Sequence, residues 1–151
     1  MNAHAPGSST HLICPACGAE NRVPTQRLGP EAVCGKCRAR LFPAEPITLT
    51  PDSFDRHLAR DGVPLLVDFW APWCGPCLSM APMFKAATPP LIPRARLAKL
   101  DTEAHPGPSQ RLGIRGIPTM ILFRDGREAA RISGAMDTSM ILRWAEGRLA
   151  A

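Results

Sequence analysis

The stretch "FWAPWCGPCLSM", residues 69–80, places two cysteines three positions apart, Cys74 and Cys77, behind a run of aromatic residues. Such a pair is either half of a metal clamp or a redox switch. The same spacing occurs twice more, in "CPAC" (Cys14, Cys17) and "CGKC" (Cys34, Cys37), so all six cysteines fall into CxxC pairs. A metal clamp at Cys74 and Cys77 needs further ligands nearby, and beyond Cys77 the chain offers a single histidine, His105. What the pair does have is an apolar run before it and an apolar helical pattern after it. That order puts Cys74 at a helix N-terminus, where unpaired N–H groups and the positive end of the helix dipole favour thiolate over thiol. Cys77, one turn further in, is more enclosed and keeps its proton at neutral pH. One sulfur is then suited to attack and the other to resolve.

Working outward, residues 47–151 alternate between strand and helix patterns. "ITLT" reads as a short strand, residues 51–60 as a helix, "VPLLVDFW" as a strand, and a further helix starts near Cys74. The helix at 51–60 has Thr50 as its cap, Pro51 in its first position, and Phe54 and Leu58 four apart on one face. The helix after Cys77 runs into "TPPLIPR", where Pro89, Pro90 and Pro93 are expected to stop it by about Ala87. "ARLAKL" and "TMILF" are strands, with a loop and a short helix between them. "RDG" is a hairpin turn into the strand "EAARIS". Gly134 ends that strand, and "TSMILRWAEGRL" is an amphipathic helix whose Ile141, Leu142, Ala145 and Leu149 share a side, with Met140 and Trp144 also expected in the core. Mixed strands and helices in this order give an α/β sheet covered by helices.

The N-terminal cysteines are arranged Cys14-x2-Cys17-x16-Cys34-x2-Cys37, inside the window for a four-thiolate zinc site. Each CxxC can wrap a tight turn that points both sulfurs at one ion, and Gly18 and Gly35 permit positive φ values there. The alternative is a pair of structural disulfides. Few apolar residues surround the cysteines, so metal binding has to supply much of the folding free energy. Domain boundaries are read as a disordered N-terminus at 1–11, a zinc module at 12–42, a linker "FPAEP" with its core at 43–46, and a second domain at 47–151. On this reading the second domain stands alone, folded and active. His4, His11, His57 and His105 are read as solvated.

Composition narrows the function class. The chain has 151 residues, 45% of them apolar, and a net charge of +5 without a run of adjacent basic residues, which argues against a nucleic-acid face. The N-terminus lacks a signal-peptide pattern, and no apolar segment approaches the ~18–20 residues that span a bilayer. The expectation is a cytoplasmic monomer. In that reducing compartment, metal binding and redox catalysis are the expected uses of cysteine.

"VDFWAPWCGPC", "GIRGIPT", "FRDG" and "SGA", in this order and spacing, resemble the thioredoxin family over all of residues 47–151. The four-cysteine segment ahead of them is similar to that of the zinc-bearing bacterial class called thioredoxin two. The resemblance implies a thioredoxin fold preceded by a small zinc-ribbon-like module. It also implies a protein-disulfide reductase recharged from NADPH by thioredoxin reductase, with disulfide-containing proteins as clients and one Zn2+ on Cys14, Cys17, Cys34 and Cys37. By position, Cys74 resembles the nucleophile and Cys77 the resolving cysteine, with Gly75 and Pro76 tuning redox poise between them. Trp73 resembles the exposed aromatic and Trp70 the buried one. Asp68 matches the carboxylate beneath Cys77, and Lys99 the lysine near it. Pro118 resembles the cis-proline facing the dithiol, with Ile117 pairing to substrate backbone and Gly134 lining the same groove. Leu78 departs from the pattern, standing where many relatives carry a basic residue. Two other classes stay open on sequence: a redox-gated, zinc-dependent chaperone, and a ribbon that docks a protein or nucleic-acid partner.

Overall fold

The computed structural model describes residues 7–150. Residues 1–6 of the segment read as disordered lie outside them, and the remainder of that segment is ordered: β1 (Ser9–Ile13) pairs antiparallel with β2 (Glu20–Pro24). Its ordering has a cause in the packing. Leu12 and Ile13 are buried, and a loop of the second domain binds this strand, as described below.

The second domain is a five-stranded sheet built from β3 (Ile47–Thr48), β4 (Leu65–Trp70), β5 (Arg96–Asp101), β6 (Thr119–Arg124) and β7 (Arg127–Ser133), in the order β3-β5-β4-β6-β7. β3, β5 and β4 run parallel, while β6 and β7 are antiparallel to their neighbours. Helices α1 (Pro51–Arg60) and α3 (Pro106–Arg111) lie on one side; α2 (Gly75–Leu91) and α4 (Thr138–Leu149) lie on the other. Side chains of a strand alternate between faces. Leu65, Val67 and Phe69 of β4 therefore enter the core that holds Phe54 of α1. Leu66 enters the second core with Met80, Phe84 and Leu91 of α2, and Asp68 shares that face. This two-residue period is what aims Asp68 at α2.

Local chemistry explains most element ends. Thr50 and Ser53 form a reciprocal capping box at α1, and Asp137 caps α4 by accepting from the Met140 N–H. The hairpin between β6 and β7 turns through Asp125 and Gly126, both at positive φ. A Cβ at Gly126 would stand 2.8 Å from the Leu58 carbonyl oxygen, so the position requires glycine twice over.

Three expectations are corrected. α2 does not end near Ala87 but continues to Leu91. Pro89 and Pro90 sit on its exposed side, where the carbonyls they orphan face water, while Ala87, Thr88 and Leu91 are buried and hold the final turns. The Ile92 and Ala95 N–H groups then donate to Thr88 and Leu91, and Arg94 donates to the Pro90 carbonyl. Met140 is exposed, because the apolar face of α4 is centred on Ile141 and Ala145. His57 is buried, for a reason that involves the four-cysteine module.

That module does not hang from a linker. Its core of Leu12, Val23, Leu41, Phe42 and two cysteines packs against Val63 and Ile92 of the second domain. Arg96, fully buried, donates to the carbonyls of Ile13 (3.0 Å) and Leu41 (2.9 Å) on the module side and to Asp61 (2.6 Å) on its own. The other Asp61 oxygen accepts the Ile13 N–H at 2.9 Å, and His57 Nδ1 lies 2.8 Å from the carboxylate. Burial raises the Asp61 carboxyl, but the His57 hydrogen bond, the Arg96 charge and the Ile13 N–H outweigh it and hold it below its ordinary value. Gly62 N donates to the His11 carbonyl at 2.7 Å, and a Cβ there would meet Thr10 at 2.7 Å. Glycine is what lets β1 approach this closely.

Candidate active site and metal centre

The strand β4 ends at Trp70, and the chain turns through Ala71 and Trp73 into α2, with Cys74 as N-cap. Cys74 and Cys77 are joined by a disulfide, with their Cα atoms 5.2 Å apart. The Cys74 sulfur accepts the Cys77 N–H at 3.2 Å, so a free N–H of the helix start points at the sulfur that sequence reading selects as nucleophile. Cys74 retains 5% exposure and Cys77 only 1%, the asymmetry an attacker and a resolver need. Beside them stands Trp73, 68% exposed, with Gly75 and Pro76 exposed between the cysteines.

The opposite wall is the start of β6. The Ile117–Pro118 peptide is cis, and the Ile117 carbonyl lies 3.8 Å from Cys74 Sγ. Gly134 N donates to the Pro118 carbonyl, and the Thr119 hydroxyl bonds both the Gly116 carbonyl and the Ser133 hydroxyl. These bonds fix the loop against the end of β7, and Ile117 packs on the two disulfide cysteines.

Beneath Cys77, Asp68 is 3% exposed and its Oδ1 has no hydrogen-bond partner. Loss of hydration raises its carboxyl to about 7, against a lowering by the Lys99 charge. Lys99 is the register partner of Asp68 on β5, and its Nζ lies 5.8 Å over the Trp70 ring. A carboxyl with this midpoint can give or take a proton near neutral pH.

The four remaining thiols converge as the spacing requires, with all sulfurs within 4.8 Å of one another. Cys14 and Cys37 are 3.5 Å apart, and Cys17 and Cys34 3.7 Å. A tetrahedron of sulfurs about 2.3 Å from a zinc ion has edges of about 3.8 Å, and the two short pairs match that spacing. Two alike turns deliver the sulfurs: Gly18 N donates to the Cys14 carbonyl and Arg38 N to that of Cys34, each at 3.0 Å. Positive φ falls on Gly18 as expected, but in the second turn it falls on Arg38 (70°) and not on Gly35, because the left-handed position follows the second cysteine of each pair. The Cys34 thiol is drawn down to about 6 by the Cys37 N–H, the Asn21 amide and the Lys36 N–H. Cys37, although its sulfur accepts the Ala39 N–H, is pushed up to about 11 by the sulfurs around it. Four thiols so close ionise together only around a cation.

Of the candidates that sequence reading named, Cys74, Cys77 and Ile117 pack together, Asp68 and Lys99 line the cleft that reaches Cys77, and Cys14, Cys17, Cys34 and Cys37 form the thiol cluster. What it missed is the Arg96–Asp61–His57 joint. The only local signal was the four-residue spacing of His57 and Asp61 at the end of α1, since Arg96 merely opens a strand that also carries Lys99 and Asp101.

A disulfide between the N-cap and first turn of a helix, facing a cis-proline over a buried carboxyl, makes this a thiol–disulfide oxidoreductase. The Thioredoxin family profile matches residues 45–146, and a zinc-ribbon profile described as Thioredoxin 2, N-terminal, matches residues 13–39. The chain belongs to the thioredoxin family. It is 42% identical to Thioredoxin C-3 of Corynebacterium nephridii, over 91% of this chain and 94% of that one. It is 35% identical to Thioredoxin 1 of Synechococcus elongatus, over 58% of this chain and 82% of that one. Among solved structures, a mutant thioredoxin from Halobacterium salinarum superimposes with a TM-score of 0.63 at 29% identity, covering 71% of this chain and 93% of its own.

Proposed function

We propose that this protein reduces disulfides of cytoplasmic proteins, with Cys74 as nucleophile, Cys77 as resolving thiol and Asp68 as the base that serves Cys77. The observation that carries this is the Cys74–Cys77 disulfide at the start of α2 beside the cis Ile117–Pro118 peptide. In the reduced protein, the Cys74 thiolate attacks one sulfur of the client disulfide; the S–Cys74 bond forms, the client S–S bond breaks, and the other client sulfur leaves as thiolate. Cys77 gives its proton to Asp68, directly or through water, and attacks Cys74 Sγ. The second client sulfur leaves, and the Cys74–Cys77 disulfide carries away the two electrons' worth of oxidation. Ile117 offers backbone to the client chain, and Gly134 and Trp73 border it. Lys99 keeps the Asp68 charge from becoming prohibitive.

Thioredoxin reductase and NADPH are the proposed electron source, and Cys14, Cys17, Cys34 and Cys37 hold one structural Zn2+. No helix among the described residues is long and apolar enough to cross a membrane. Insulin reduction followed by NADPH oxidation in the presence of thioredoxin reductase tests the reading. A chain that turns over neither insulin nor a small disulfide overturns it. Metal analysis is expected to give one zinc per chain. Chelation is expected to remove hydrogen-exchange protection from β1 and β2 while the central strands β4 and β6 keep theirs, because the module has few apolar side chains to hold it without metal.

Asp68→Asn is expected to slow turnover several-fold near pH 7 and to flatten the rate–pH profile where the carboxyl titrates. The same variant has an opposite effect on stability. A folded carboxyl raised to about 7 holds its proton while the unfolded one has lost it, so the native state loses stability as pH rises from about 4 through 7. The neutral amide of the variant carries no such penalty. Denaturation should show the variant more stable than wild type at pH 8 by a few kcal/mol and no more stable at pH 4; equal stability at both would mean that Asp68 is hydrated.

A further inference from the structure

A cleft of about 650 Å3 reaches Cys77 of the disulfide and is lined by none of Trp73, Ile117, Pro118 and Gly134. Asp68 and Cys77 form its floor, and Lys99 is on one flank. Its outer wall is not part of the sheet or of α2: Pro43, Glu45 and Pro46 supply it, from the segment that joins the four-cysteine module to β3. We propose that this segment is a working part of the catalytic unit, closing the cleft beside Asp68 and Cys77 and thereby setting the proton transfer that resolves the mixed disulfide. The proposal rests on Asp68 serving Cys77 as its base.

The wall is held at both ends. Leu41 and Phe42 are buried in the module, and Arg96 fixes the Leu41 carbonyl at 2.9 Å. At the far end of the segment Ile47 is buried and paired to Ala98 of β5. Between these points Pro43 and Pro46 have φ fixed by their rings, leaving little freedom for the segment to swing away. Midway, Glu45 reaches across to Lys85 of α2 at 3.3 Å, an exposed pair that contributes little stability. The position of the wall therefore depends on the docked module, and through Arg96 on the buried joint.

Asp68 has one buried oxygen without a partner, and its protonation depends on how much water reaches it. The charged and titratable groups that share the cleft with it are Lys99 of β5, Lys85 and the Cys77 thiol of α2, and Glu45 of the wall itself. Thr48 of β3, in the cleft, and Met120, the register partner of Asp68 on β6, add no charge. Admitting water would favour the carboxylate and make it a weaker base.

The test uses the full chain with its zinc. In oxidised protein, where Cys77 has no proton, the Asp68 carboxyl is titrated by carbon NMR in wild type, in Pro43→Gly/Pro46→Gly, and in Glu45→Lys. Loosening the wall is expected to lower the Asp68 midpoint by about one pH unit, and the single-turnover resolving rate above pH 8, where the carboxylate is fully ionised, by roughly threefold, with the rate–pH profile moving to lower pH. Glu45→Lys, at a side chain mostly in solvent, leaves folding intact and should lower the midpoint in a way that added salt reverses. Midpoints and profiles that stay with wild type in both variants, in protein that retains its zinc, overturn the proposal. Asp68→Asn run alongside separates the two ways of failing. If it leaves the profile unchanged, Asp68 is not the base and the linker's catalytic role falls with it; if it changes the profile while both linker variants do not, the linker proposal alone is wrong.

Discussion

Cys74→Ser is expected to reduce insulin turnover to background, a loss of roughly 10³-fold or more. A serine hydroxyl at the α2 N-cap still accepts the Cys77 N–H, so the helix start survives, but the hydroxyl stays protonated at neutral pH and cannot form the mixed disulfide. Cys77 cannot take over, since at 1% exposure it lies beneath the surface that a client sulfur reaches. Cys77→Ser separates the steps: the first attack proceeds, and the adduct accumulates because nothing displaces the client from Cys74. Mass spectrometry of the trapped complex should place the client on Cys74. A client on Cys77 or on any of the four module cysteines would overturn the assignment of nucleophile and resolver. The same pair of variants separates the reductase from the chaperone alternative, because holding an unfolded client requires no turnover and would survive loss of Cys74, whereas disulfide reduction would not.

The second large effect lies far from the groove. Arg96→Met is expected to destabilise the protein by about 3–5 kcal/mol, because it leaves the Asp61 carboxylate buried without its cation and the Ile13 and Leu41 carbonyls without donors. For a chain of this size that is on the order of 10 °C in melting temperature. Zinc should leave the variant faster than wild type, since Ile13 precedes the ligand Cys14 and both sides of the joint loosen together. Adding Asp61→Asn should recover part of the loss by removing the unpaired charge, whereas two independent sites would give additive losses. A single-variant loss below about 1 kcal/mol would show that the joint is hydrated and contributes little. The pH dependence has a fixed sign. The folded Asp61 carboxyl is held below its ordinary value, so the stability it contributes is present at neutral pH and is lost as pH falls below the usual carboxylate range. Residues 47–151 on their own would uncover Val63 and Ile92 and deprive Arg96 of both module carbonyls, so the isolated second domain is expected to unfold at a lower denaturant midpoint than the full chain.

Much of this protein was legible from sequence because the signals are local. The α1 boundaries followed from Thr50 and Pro51, the hairpin from Asp125 and Gly126, and the dithiol's asymmetry from the position of Cys74 at a helix start. CxxC spacing foretold the four-sulfur cluster, because a tight turn between the cysteines leaves their sulfurs few other directions to point. The errors have a common form. Pro89 and Pro90 predicted a helix end, and burial of Ala87, Thr88 and Leu91 in the core overrode them. His57 read as solvated because a histidine beside arginines on a helix surface gives no sign of what will cover it.

By itself, then, the sequence determined the family, the split of the six cysteines into a dithiol and a four-thiol cluster, and the order of strands and helices in residues 47–151, because caps, turns, periodicity and CxxC spacing are legible over a few residues at a time. Only the tertiary structure decided that Asp68 and Cys77 share a cleft, that residues 43–46 wall it, and that Arg96 binds two carbonyls more than fifty positions away. Those contacts depend on how separate elements stack. Whether a charge such as Arg96, Asp61 or Asp68 is solvated or buried is set by the elements laid over it, and that information is not contained in the charge's own stretch of chain.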